Sequence, residues 1–223
     1  MVYSNDNKMS KFFSKVYLWM FIGLLISGIT AYLTCINESL LKFIYNFYTI
    51  ICIVEIIVVI AFSALRSKVS PNVAKILFIV YSVLSGLTLS SIFIVYKLGS
   101  ILMVFISSSL MFAMLSIYGY ITKQNLTSMG KILIFALIAI FIMSIINIFV
   151  VNSMFGAIIS VVSIVVFLGL TAYDMQVLKS IYNYYLNDDE ELSKASIYGA
   201  LNLYLDFINI FINLLRLFVK RND

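Results

Sequence analysis

The chain has 223 residues, 63% of them hydrophobic and 11% charged, with fifteen Lys and Arg against ten Asp and Glu and a formal net charge of +5. A mean hydropathy of +1.08 lies far outside the range of soluble globular domains. The composition excludes a soluble or nucleic-acid-binding domain, and the absence of histidine removes His-containing triads, H-E-x-x-H zinc sites and imidazole proton relays.

A hydrocarbon core of about 30 Å needs about 20 apolar residues per helix, so the chain has room for six or seven spans and no separate soluble domain. Apolar stretches fall at Val16 to Cys35, Phe47 to Leu65, Val73 to Tyr96, Ile101 to Ile121, Ile132 to Val151, Met154 to Val177 and Ile197 to Val219. Each is continuous and too long for the alternating segments of a transmembrane barrel, so all seven are expected to be helices. The first stretch is too long for a signal-peptide core and lacks a small-x-small cleavage site, so it is expected to be retained. Ser70 and Pro71, the only proline, form an N-cap and first-turn pair ahead of the third helix; Ser128, Met129 and Gly130 precede the fifth. The expectation is one membrane domain over 1–223, with a short cytoplasmic tail at 1–15.

Orientation follows the basic residues. Ten of the fifteen stand on the N-terminal side of the bilayer: Lys8, Lys11, Lys15, Arg66, Lys68, Lys75, Lys123, Lys131, Lys179 and Lys194. Lys42, Lys97, Arg216, Lys220 and Arg221 make up the other side. The N-terminus is therefore expected in the cytoplasm and the C-terminus outside; a six-span alternative with a re-entrant last segment stays open. Flanking basic residues meet anionic headgroups, so the lipid bilayer accounts for the charge and no nucleic-acid partner is implied.

Cys35 and Cys52 lie in or beside the first two helices, as small buried hydrophobes or as a disulfide. Gly23, Ser27 and Gly28 in the first helix, and Ser85, Gly86, Thr88, Ser90 and Ser91 in the third, offer small surfaces for close helix packing.

The last stretch, "LNLYLDFINIFINLLRLF", is unusually polar. Asn202, Asp206, Asn209, Asn213 and Arg216 are spaced by 4, 3, 4 and 3, so on a helix they share one arc of roughly 80°. A central Asp or Arg facing lipid costs about 2.5 to 3.5 kcal/mol even on lenient insertion scales, so the stripe is expected to face protein or water. The other ionisable groups within apolar stretches are Glu55 and Arg66 in the second, Asp174 late in the sixth and Lys97 near the end of the third. Plain alternatives are that Arg66 is a positive-inside anchor, Asp174 a helix-end residue, and the Asn and Asp side chains interhelical glue.

Five stretches carry a resemblance: "YLWMFIGLLISGITAYL", "GLTLSSIF", "YGYITKQNLTSMGKILIFALIAI", "FLGLTAYDMQ" and "IYGALNLYLDFINIFINLLRLF". Through them the chain resembles the Bax inhibitor-1 family, the transmembrane Bax-inhibitor-motif proteins, along nearly its whole length, and its bacterial-type members in particular. The connector "YNYYLNDDEELSKAS" looks long and acidic for a bacterial member. The resemblance implies an all-α protein of seven transmembrane helices, six wrapped around a central polar seventh, acting as a pH-sensitive calcium leak. It further implies that Asp174 and Asp206 form a pH-sensing carboxylate pair, that Arg66 neutralises it, and that Glu55, eleven positions before Arg66, lies along the pore.

Two carboxylates in a low-dielectric bundle cannot both ionise cheaply, so Asp174 and Asp206 are expected to share a proton and titrate as a coupled pair. With one proton, a short charge-assisted bond ties the sixth helix to the seventh. Calcium takes six to eight oxygens. Asp174, Asp206 and Glu55, with carbonyls of Asn202, Asn209 and Asn213 along the pathway, suit transient passage rather than storage. Calcium is then the transported ion and protons the regulator, with no cofactor, and the chain acts as a monomer. The run Asn187 to Glu191 lacks the alternating ligands and glycine of an EF-hand loop and reads better as solvated charge than as a cation-gathering mouth.

Two rival functions are set against this. An intramembrane aspartyl protease also uses paired aspartates, but the chain has "LYLD" in place of G-x-G-D and no proline after Pro71, so a non-enzyme is expected. A non-transporting protein that modulates a membrane protease or a cell-death regulator is the other alternative, with a membrane protein as its partner. Compact loops and no ER-retrieval ending favour a bacterial cytoplasmic membrane; in a eukaryotic or viral setting the endoplasmic reticulum or Golgi membrane would fit. The glycosylation triplets at Asn37 and Asn125 hug predicted helix ends and carry little weight.

Overall fold

The computed structural model describes residues 2–66 and 68–219. Lys220 and Arg221, counted above on the outer side, lie outside the described residues. Seven helices follow one another: α1 (Val2–Ile36), α2 (Glu38–Ala64), α3 (Pro71–Val95), α4 (Leu98–Ile121), α5 (Thr127–Val150), α6 (Ser153–Tyr184) and α7 (Asp189–Phe218), with no strand among the described residues. All seven are long and apolar enough to cross a bilayer. The last is a complete helix of 30 residues, long enough to span.

The helices overrun the apolar stretches at identifiable places. The polar segment before Val16 is helical from Val2, continuous with the first span. Phe12, Phe13, Val16 and Met20 continue the helical period and are buried, with the Phe12 ring 5.5 Å from Tyr182. α5 starts at Thr127, so Ser128, Met129 and Gly130 sit inside its first turn instead of ahead of it. The chain turns earlier because Asn125 Oδ1 accepts the Thr127 N–H at 2.9 Å. α3 begins at Pro71, with the Ser70 carbonyl accepting from the Ala74 N–H at 3.1 Å.

The acidic connector is mostly helix: α6 runs to Tyr184 and α7 begins at Asp189, leaving 185–188 between them. Asp188 Oδ1 accepts the Glu191 N–H at 2.9 Å, and Asp189, Glu190 and Glu191 occupy the first turn of α7, where carboxylates complement the positive helix end. The charge run therefore caps a helix. Asn37 does the same for α2, its side chain accepting from Ser39 and Leu40 N–H at 3.1 Å.

The chain packs as two compact units divided at 95/96, 180/181 and 204/205. The first holds α1, α2, α3, the end of α6 and the first half of α7. In it α1 and α3 approach closely. A Cβ on Gly86 would stand 2.6 Å from Thr30 Cβ and 2.7 Å from the Ser27 carbonyl, and one on Gly23 would stand 2.6 Å from the Phe78 ring. Gly28 has open space around it and takes no part in this packing. Ser90 and Ser91 spend their hydroxyls on the Leu87 and Thr88 carbonyls of their own helix. Tyr204 of α7 lies edge-on to Phe78 and Tyr81 at 6.0 and 5.9 Å.

The second unit holds α4, α5, α6 to Ser180 and the second half of α7. Phe105 and Phe112 of α4 meet Phe207 of α7 edge-on at 5.3 and 5.8 Å. Burial separates the helices: 61% of the most apolar stretch of α7 is buried, against 6% for α2 and α5. α7 is thus the most enclosed span, and α2 and α5 leave most of their apolar side chains for lipid. Both cysteines are free thiols.

Candidate functional site: a carboxylate pair between α6 and α7

The "FLGLTAYDMQ" segment of α6 is held from two sides in the second unit. Gly119 of α4 leaves no room for a Cβ against the Ala172 backbone, and Gly130 of α5 none against the Tyr173 ring; Gly169 of α6 itself meets the Leu133 side chain. Gly119 lets α4 close to backbone contact with α6, while Gly130 and Gly169 make room for the Tyr173 and Leu133 side chains. Gln176 Oε1 accepts the Leu126 N–H at 2.8 Å, and its Nε2 donates to the Gln124 carbonyl at 2.7 Å. A turn further on, Lys179 Nζ donates to the Tyr120 carbonyl at 3.2 Å and stands 5.1 Å from the centre of the Tyr120 ring.

Asp206 comes from the second half of α7 and is 4% exposed. It faces α6, where the Thr171 hydroxyl bonds its carboxylate and Asp174 stands close enough to repel it. The single Thr171 proton is shared, because the same Oγ1 also lies 2.8 Å from the Phe167 carbonyl. Asp206 Oδ2 has no hydrogen-bond partner among the described residues. A buried carboxylate oxygen without a donor is costly. The structure thus brings Asp174 and Asp206 together, with Asp174 half-buried.

The first unit holds a different carboxylate. Glu55 Oε2 accepts from Thr88 Oγ1 at 2.9 Å, with the Ser85 and Tyr81 hydroxyls also bonding it. The Tyr204 hydroxyl lies 2.7 Å from Ser27 Oγ, whose other neighbours are the Ser82 and Gly23 carbonyls at 2.7 and 2.9 Å. Tyr81, Ser85 and Thr88 are spaced by 4 and 3 along α3 and so share one face. Ser85 and Thr88, read above as packing residues, are donors to Glu55. Arg66 follows the C-cap of α2, is exposed, and lies 5.7 Å from the centre of the Tyr198 ring.

The polar stripe of α7 divides. Asp206 and Asn213 are buried and Asn209 half-buried, whereas Asn202 and Arg216 at its ends are exposed. The Asn209 and Asn213 amides donate to the Leu205 and Asn209 carbonyls of their own helix at 2.8 Å, so each spends an N–H on its own backbone. No three His, Cys, Asp or Glu side chains gather to hold a metal ion among the described residues. Thr171 and Gln176 escaped the sequence reading; the signal lay in their spacing around Asp174, 3 before and 2 after.

Residues 9–223 match the family model described as inhibitor of apoptosis-promoting Bax1. The inner membrane protein YbhL of Escherichia coli strain K12 is 40% identical over 214 residues, covering 94% of this chain and 92% of that protein. A protein of Borreliella burgdorferi is also 40% identical, over 218 residues and 96% and 94% of the two chains. An uncharacterized membrane protein of Streptococcus pyogenes serotype M1 is 35% identical over 224 residues, 98% and 96% of the two.

Proposed function

The chain belongs to the Bax inhibitor-1 family, and from that premise we propose that this multi-pass membrane protein is a calcium leak whose flux depends on pH through Asp174 and Asp206. The observation that carries the reading is Asp206: a carboxylate almost wholly buried, opposed by a second carboxylate, with one oxygen left without a donor among the described residues. Like charges in a low-dielectric site resist joint ionisation, so the proton count of the pair sets whether α6 and α7 attract or repel each other there. A cation can replace the missing proton. Neither the Asp174–Asp206 pair nor Glu55 provides by itself enough oxygens to retain calcium, which suits conduction, since an ion must leave as readily as it enters. The N-terminus is assigned to the cytoplasm from the excess of Lys and Arg on that side.

The test is pH-resolved calcium efflux from vesicles containing the purified full chain, compared with Asp206→Asn and Asp174→Asn. Each substitution is expected to flatten the pH profile. An unchanged profile in both would overturn the proposal. The description of the family as an inhibitor of Bax1 favours a second reading, a protein that binds and modulates another membrane protein. That reading expects folded yield to fall in the two variants while the protein that folds shows no calcium efflux at any pH, with or without the substitutions.

A further inference from the structure

We propose that Gln176 is a positioning residue: by clamping the α4–α5 connector onto α6 it sets the register of Asp174 against Asp206. The inference rests on the reading of that pair as pH-responsive. Both ends of the amide are engaged, at 2.8 Å to the Leu126 N–H and 2.7 Å to the Gln124 carbonyl. Leu126 immediately precedes α5, and Gln124 follows the end of α4. Neither group has a place in a helical ladder, so one side chain satisfies two backbone groups stranded between helices.

The arrangement around the helix gives the clamp its consequence. At about 100° per residue, Ala172, Gln176 and Lys179 fall within one arc of roughly 60°, and Thr171 and Asp174 within another, about 140° away. The first arc is occupied by Gly119 and Tyr120 of α4 and by Gln124. The second faces Asp206 of α7. On a third side Tyr173 is seated against Gly130 of α5. α6 cannot turn about its axis without breaking the two Gln176 bonds and driving Ala172 into Gly119. Asp174 is therefore the fixed member of the pair, and a change in its proton count is relieved on the α7 side.

Besides Asp174, the charged and titratable groups of this unit among the described residues are Asp206 and Arg216 on α7, Tyr173 and Lys179 on α6, Tyr118 and Tyr120 on α4, Lys123 in the connector, Lys131 on α5, and Tyr96 and Lys97 ahead of α4. Gln176→Met alters none of them. It keeps the side-chain length and removes both hydrogen bonds, so a displaced titration reports geometry.

The experiment uses the full chain in lipid vesicles, native and Gln176→Met. Three readouts are taken: hydrogen exchange in the peptide containing Leu126, infrared titration of the carboxyl band assigned with Asp174→Asn and Asp206→Asn, and the pH profile of calcium efflux. The expected result is exchange faster by about tenfold or more together with titration and efflux midpoints displaced by about half a pH unit or more. Faster exchange with unmoved midpoints would overturn the proposal. If the native chain passes no calcium, the leak reading fails alone and the infrared titration decides on Gln176. If Gln176→Met yields no folded protein, Leu126→Pro takes its place. It deletes the donated N–H where φ is −84°, near the proline value, and the same displacement is expected; a fixed midpoint would again overturn the proposal.

Discussion

The Tyr204 hydroxyl of α7 lies 2.7 Å from Ser27 Oγ of α1, and both residues are almost completely buried. This one bond joins the enclosed helix to the first, in a setting where an unpaired hydroxyl is expensive. Tyr204→Phe removes it but leaves Ser27 its bonds to the Ser82 and Gly23 carbonyls, so no donor is stranded. The expected loss is about 1 kcal/mol, a drop of about 2 to 4 °C in the thermal midpoint of the purified protein in detergent. Ser27→Ala instead leaves the buried Tyr204 hydroxyl with Ser85 as its one remaining side-chain partner, strips the Ser82 carbonyl of its Ser27 donor, and is expected to cost more. Equal midpoints for Tyr204→Phe and the native chain would remove this bond from the account of the fold.

The helix contacts predict a sharp contrast among glycines. Gly119→Ala pushes a methyl group into the Ala172 backbone, and neither backbone can yield without parting α4 from α6. A loss of about 1 to 3 kcal/mol or more is expected, seen as lower folded yield and a lower thermal midpoint. Gly28→Ala meets nothing within 4 Å. There the better helix propensity of alanine should stabilise by about 0.5 to 1 kcal/mol. Equal effects of the two substitutions would contradict the packing described for the second unit.

Glu55 and Thr88 predict a separation of charge from hydrogen bonding. Glu55→Gln keeps an acceptor for the Thr88 hydroxyl, 2.9 Å away, while removing the negative charge. Calcium efflux is expected to fall with folded yield and thermal midpoint little changed. Thr88→Val keeps the charge and takes away a donor, leaving Glu55 with the Tyr81 and Ser85 hydroxyls. The thermal midpoint is then expected to fall by an amount corresponding to about 1 kcal/mol. Full efflux in Glu55→Gln would remove Glu55 from the ion pathway.

The seven spans, their order and the polar arc of α7 were legible in the chain because a bilayer punishes polar groups locally. Each apolar stretch declares itself without reference to any other. Helix ends were less legible. α1 begins at Val2 and the acidic run caps α7, since a helix continues wherever its period and capping groups allow, even where hydrophobicity has stopped. Asp206 stood out by depth alone, whereas its pairing with Asp174 came to the sequence only through family resemblance. Which hydroxyls and amides serve the carboxylates was decided by the tertiary structure. Thr88 and Ser85 bond Glu55 instead of only packing, Asn209 and Asn213 turn back onto their own helix, and Gln176 reaches a connector 50 residues away in the chain. A hydroxyl or amide in a membrane helix can be satisfied by its own backbone or by a neighbour at nearly equal local cost. Only the approach of a second helix, set here by glycines such as Gly119 and Gly130, breaks that tie.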